Sequence, residues 1–131
     1  MKLLPFRPLT AGTLLFVAAS LLPSVSDAKD GDVITRGRCP GGVKTKLKAS
    51  PENGRVEVEY EIDQARPGDR WRVVIKSNGR TILRTVRKVN SAGNVEVRKL
   101  AANASGTETI RVRGKNLRTG HSCTLSLKVP F

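Results

Sequence analysis

The sequence predicts an all-β sandwich of seven short strands, and three observations carry that prediction. Apolar and polar residues alternate over short runs, no stretch after residue 28 shows a helical period, and turn-forming clusters recur about every 8 to 12 residues. Trp71 enters the third of these runs directly after the Pro67-Gly68 break and offers the core its largest side chain.

Residues 1–28 read as a signal peptide. Lys2 and Arg7 form a basic start, the run 14–22 is apolar, and Ser26-Asp27-Ala28 is a small-x-small site with cleavage expected before Lys29. A spanning helix needs about 20 apolar residues, so a run this short, closed by Pro23, is not expected to persist as a transmembrane anchor. The mature chain is then expected to be secreted or associated with the cell surface. Its two cysteines, Cys39 and Cys123, should pair as a disulfide in that oxidising compartment. A link between positions so far apart contributes roughly 4 kcal/mol in the chain-entropy view, a large share of a small domain's stability.

Residues 29–38 carry no period and are expected to form a flexible arm, which leaves 39–131 as one sandwich domain. The first predicted strand places Val43, Thr45, Leu47 and Ala49 on one face and Lys44, Lys46 and Lys48 on the other. Pro51-Glu52-Asn53-Gly54 should turn the chain, after which Val56, Val58, Tyr60 and Ile62 alternate with Glu57, Glu59 and Glu61. Pairing Ser50 with Arg55 would set Lys48 against Glu57, Lys46 against Glu59 and Lys44 against Glu61, a register written in opposite charges.

The third and fourth strands meet across Asn78-Gly79, a pair suited to a type I′ turn because both of its central residues take positive φ. That turn would set Ile75 opposite Ile82, Val73 opposite Arg84 and Trp71 opposite Val86 on the inner face, with Val74 and Leu83 on the outer one. An inward arginine implies that the fourth strand is a sheet edge. Ser91-Ala92-Gly93 turns into a short fifth strand at Val95 and Val97, and a sixth carries Ile110 and Val112 inward. Residues 117–120 return the chain to the seventh, where Cys123, Leu125, Leu127 and Val129 alternate with polar positions. Gly114 falls opposite Cys123 and is expected to leave room for the disulfide.

Strand number, spacing and an inward tryptophan on the third strand fit an immunoglobulin-like or fibronectin-III-like sandwich, with a small closed barrel as the competing architecture. The residues 58–64, the Gly68-x-Arg70-Trp71 step, Asn78-Gly79, Gly93 with Val95 and Val97, Ala102-Asn103 with Gly106, and Thr119-Gly120-x-x-Cys123 span most of the mature chain. In these the chain resembles the small, uncharacterised, secreted Ig-like domain proteins of high-GC Gram-positive bacteria. It departs from them at Val43, where relatives often carry an aromatic residue. The resemblance implies a fold and an exported location, and no activity.

Charge is the main functional signal. The chain carries 24 basic and 11 acidic residues. Residues 29–65 balance seven of each, so the excess lies in 66–131, where Asp69, Glu96 and Glu108 are the only acids. In an Ig-like topology the third, fourth, sixth and seventh strands share a sheet, and Arg70, Arg72, Lys76, Arg111, Arg113 and Lys128 would share its outer face. Val74 and Leu83 would add an apolar contact. Such a face suits an anionic cell-envelope polymer or an acidic lipid surface. Nucleic acid is not expected as the natural ligand, because no stacking aromatic accompanies the charges. The plainer reading is that the arginines serve solubility, and a structural or protein-interaction domain of the envelope is the competing function.

An enzyme is not expected. His121 is the only histidine and sits in a loop, Glu57, Glu59 and Glu61 already face lysines, and neither metal-ligand spacing nor a phosphate loop is present, so no cofactor is assigned. The polar corner of Asp63, Gln64, Arg66 and Asp69 reads as capping more readily than as a binding loop. A monomer is expected.

Overall fold

The computed structural model describes residues 31–103 and 106–131, so the signal-peptide expectation lies outside the described residues. Eight strands follow in order: β1 (Val33–Cys39), β2 (Val43–Glu52), β3 (Arg55–Asp63), β4 (Arg70–Ser77), β5 (Arg80–Lys88), β6 (Val95–Ala102), β7 (Glu108–Asn116) and β8 (Ser122–Val129). They form two four-stranded antiparallel sheets, ordered β1-β2-β3-β6 and β5-β4-β7-β8, packed as a sandwich. The sharing of one sheet by β4, β5, β7 and β8 matches the expectation.

The strand count does not, because the expected flexible arm is strand from Val33 onward. β1 adds to the edge of β2 with Val33, Thr35, Gly37 and Cys39 opposite Ala49, Leu47, Thr45 and Val43. Its inward row is made of small or half-polar residues, so it lacks the apolar alternation that marks the other strands. What holds it is the backbone ladder and its far side. A Cβ on Gly37 would come within 2.6 Å of Leu125 Cδ2, so the absent side chain lets β1 lie close against β8.

Cys39 and Cys123 are joined, with Cα atoms 5.3 Å apart and a separation of 84 positions in sequence. The bond staples the end of β1 to the start of β8, edge strands of opposite sheets. Between the sheets, Leu47, Val56, Val58, Tyr60 and Ile62 pack against Trp71, Val73, Ile75, Ile110 and Val112, all essentially inaccessible to water.

Three details of register differ from expectation. The β2–β3 hairpin turns on Asn53-Gly54 alone, with φ of 48° and 77°, so Pro51 and Glu52 belong to β2. Pairing therefore moves by two residues. Lys48 faces Glu59, Lys46 faces Glu61 and Lys44 faces Asp63, which keeps charge complementarity and the buried face intact. Second, the Asn78-Gly79 turn forms as expected and sets Lys76 opposite Thr81, but the register then shifts between Ile75 and Lys76, so Ile75 meets Leu83 instead of Ile82. Third, Gly114 does lie opposite Cys123, yet the space it leaves is filled by the Tyr60 ring and not by the disulfide.

Candidate functional site

The alternation that buries Trp71, Val73 and Ile75 turns Arg70, Arg72, Val74 and Lys76 to the outside of β4. On β7 the burial of Ile110 and Val112 exposes Arg111 and Arg113 in the same way, and Lys128 is exposed on β8. The structure thus brings all six expected cations to one outer surface, that of the β5-β4-β7-β8 sheet.

Three further cations join them. Lys115 lies opposite Arg72, as strand alternation already implied, and Lys88 lies opposite Arg70. Lys88 and Arg84 are the two that the expected register turned inward. The irregularity after Lys76 adds one residue to β5, and this reverses the faces of everything beyond it. Arg84 pairs with Val74 on the outer face and is exposed, while Leu83 pairs with Ile75 and packs against the core. The expected outer apolar pair of Val74 and Leu83 is therefore Val74 and Val86, the latter 45% exposed opposite Arg72.

A trough crosses this face. Val74, short and half-buried, has Arg84 on one neighbouring strand and Arg113 on the other. Lys76 lies between Thr81 and Arg111. The long cationic side chains stand as walls about a cavity of about 700 Å³, and Thr109, Ser122 and Thr124 bring hydroxyl groups to its lining. Arg113 Nη2 donates to Ser122 Oγ at 3.3 Å, which leaves the serine proton free to point elsewhere.

No outward position of these four strands is acidic, and the three acids of the C-terminal half are all engaged away from this face. Glu108 is buried at the start of β7 and accepts from Ser77 Oγ at 3.2 Å. Glu96 is on β6 in the other sheet, bound to Arg98. Asp69 is buried at the end of the sandwich, where Arg118 Nε donates to Oδ1 at 2.8 Å and Asn116 Nδ2 to Oδ2 at 2.9 Å. Those hydrogen bonds, the Arg118 one first, hold the Asp69 carboxyl below its ordinary value. With both oxygens used, Asp69 ties the β3–β4 corner to the β7–β8 loop through side chains, where the capping reading expected backbone N–H groups or Arg70; it is Asp63 Oδ1 that accepts a backbone N–H, from Gln64 at 2.8 Å.

The outer face of the other sheet is neutral by pairing. Lys48 Nζ lies 3.2 Å from Glu59 and Lys46 Nζ 3.1 Å from Glu61. Glu59, Glu61 and Glu96 bring carboxylate oxygens within 4.8 Å of one another, and the lysines and Arg98 supply the cations beside them. Burial would raise Glu59, but hydrogen bonding to Glu61 and Lys48 brings it below its ordinary value. Glu61 is pushed up, by burial first and by Glu59 beside it.

Comparison with protein-family models, with curated proteins and with solved structures finds no match. Among the described residues no helix is long and apolar enough to cross a membrane, and the disulfide is consistent with an oxidising, extracellular compartment.

Proposed function

We propose that this chain is a secreted binding module whose basic sheet face holds an anionic polymer or acidic lipid surface of the cell envelope. The observation that carries the reading is the separation of charge: cations from four strands share one face and no carboxylate accompanies them. Nearby carboxylates would neutralise such a surface for solubility alone, as the paired lysines and glutamates of the opposite sheet do. On the ligand side, a low-dielectric sheet carrying one sign of charge concentrates polyanions and speeds their capture.

The fold is read as a fibronectin-III-like variant of the immunoglobulin sandwich. β2 to β8 supply its three- and four-stranded sheets, Trp71 sits on the third of these strands, and β1 is an added edge strand locked by the disulfide. A binder is favoured over an enzyme because the one histidine, His121, is exposed in the β7–β8 loop and the shifted carboxyls Glu59 and Asp69 already have basic partners.

The test is retention on acidic vesicles and on an anionic polymer matrix as salt is raised. A cation near an acidic lipid surface contributes about 1 kcal/mol, so changing Arg72, Arg111 and Arg113 to Ser should weaken binding roughly 100-fold at low salt. Equal retention of that variant and the wild type would overturn the reading.

A further inference from the structure

We propose that the trough over Val74 is a phosphodiester-binding groove that takes the backbone of a linear polymer. The inference rests on the polyanion reading above and narrows it from a charged face to a shaped site. Its basis is the irregularity in β5. Bulged residues re-aim side chains and occur next to functional sites. Here the extra residue takes Arg84 from the inner face and sets it opposite Val74, whose other neighbour is Arg113. Two guanidinium groups therefore flank one short apolar side chain, from Cα positions about 10 Å apart across two strand spacings. A small residue between two long ones makes a channel, and Lys76 beside Arg111 continues it toward the Asn78-Gly79 turn.

The lining selects the chemistry. A carboxylate is planar and is satisfied by one fork, whereas a phosphodiester is tetrahedral and accepts from several directions at once. Arg84 and Arg113 approach from opposite walls, and the hydroxyls of Ser122 and Thr124 lie in the same lining, Ser122 already oriented by Arg113. A cavity of about 700 Å³ exceeds one phosphate and suits a short run of repeats. The spacers are small and polar, not nucleosides, because no aromatic ring lines the trough and both Tyr60 and Trp71 are buried.

Two triple variants that remove equal charge test this: Arg84→Ser, Arg111→Ser, Arg113→Ser in the groove, and Arg70→Ser, Arg72→Ser, Lys128→Ser outside it. The probes are a poly(glycerol phosphate) chain, phosphatidylglycerol vesicles, and a single-stranded oligonucleotide of equal phosphate number. The chain should lose about 10-fold more affinity in the groove triple than in the outlying one, while vesicle binding falls equally in both. An Arg84→Lys, Arg113→Lys double, which keeps the charge and removes the forks, should weaken the chain and spare the vesicles. Equal losses of the chain in the two triples would overturn the groove and leave the charged face standing. No loss in either would overturn both. Tighter binding of the oligonucleotide than of the base-free chain would also overturn the assignment, since bases would then be read.

Discussion

The Tyr60 hydroxyl occupies the place of the side chain that Gly114 lacks: a Cβ there would stand 2.7 Å from the oxygen, 3.4 Å from Tyr60 Cε1 and 3.5 Å from Trp71 Cε3. Both rings are about 1% exposed and have nowhere to go. The φ of Gly114 is unremarkable, so the constraint is packing and not backbone strain. Gly114→Ala should therefore destabilise by about 1–3 kcal/mol, the cost of overpacking a core. Tyr60→Phe, whose lost hydroxyl has only Cys123 Sγ at 4.0 Å, should cost little, and combined with Gly114→Ala it should recover part of the loss. Urea denaturation of the three variants checks this, and a double variant no more stable than Gly114→Ala would refute the contact.

Opening the Cys39–Cys123 bond should lower stability by roughly 4 kcal/mol, because it closes a loop of 84 positions. The loss should be uneven. β1 is an edge strand with a poorly apolar inner row, so its amides, residues 33–39, should gain hydrogen exchange first, ahead of β3 and β4. Exchange that rises uniformly across both sheets in Cys39→Ser, Cys123→Ser would show that the bond does not act through β1.

Acid should destabilise the protein in part through Asp69. Its carboxyl is held below 3.8 by Arg118 and then Asn116, so this contribution is present above the unfolded value and is lost as pH falls through the lower folded one. Arg118 is half-exposed, so salt should reduce the effect. Melting midpoints of Asp69→Asn and wild type should converge as pH is lowered from 6 to 2. Parallel curves over that window would rule the pair out as an acid-sensitive link.

Lys48 and Glu59 pair on the solvent side of β2 and β3, yet both are under 10% exposed. Long neighbouring side chains cover them, without the deep enclosure of a core. Breaking an exposed pair costs about 0.2–1 kcal/mol and a buried one about 3–5, so Lys48→Met should fall between, at about 1–3. Lys48→Met with Glu59→Leu should be nearer neutral, since no charge is then stranded. Chemical denaturation in a double-mutant cycle measures the coupling.

How much of this was legible in the sequence depends on what each residue constrains. The outward placing of the six cations followed from alternation, because Trp71, Val73 and Ile75 cannot face water together, and their meeting on one sheet followed from the Ig-like topology. β1 was missed because Gly37 and Thr35 bury little, and its place is decided by Leu125 and the disulfide, contacts distant in sequence. The faces of β5 were misread because Ile82 and Leu83 are both apolar. Plain alternation allows only one of them inward, whereas the bulge packs both against the core and turns Arg84 outward. The groove was invisible for that reason.

The basic face is expected to cost the fold stability when nothing is bound. Cations from four strands stand side by side with no carboxylate among them, so they repel, and the sheet tolerates this because Trp71, Val73 and Ile75 anchor it from beneath. Salt should therefore raise the melting midpoint of the wild type, with the rise levelling as the Debye length falls below the spacing between strands. Arg72→Ser, Arg111→Ser, Arg113→Ser should melt at the same or a higher temperature than wild type at low salt and respond less to added salt. An anionic chain that binds the folded protein should raise the wild-type midpoint by mass action and leave that of the variant nearly unchanged. If the variant is instead markedly less stable at low salt, the arginines support the fold, and the case for a face kept for binding fails with that single measurement.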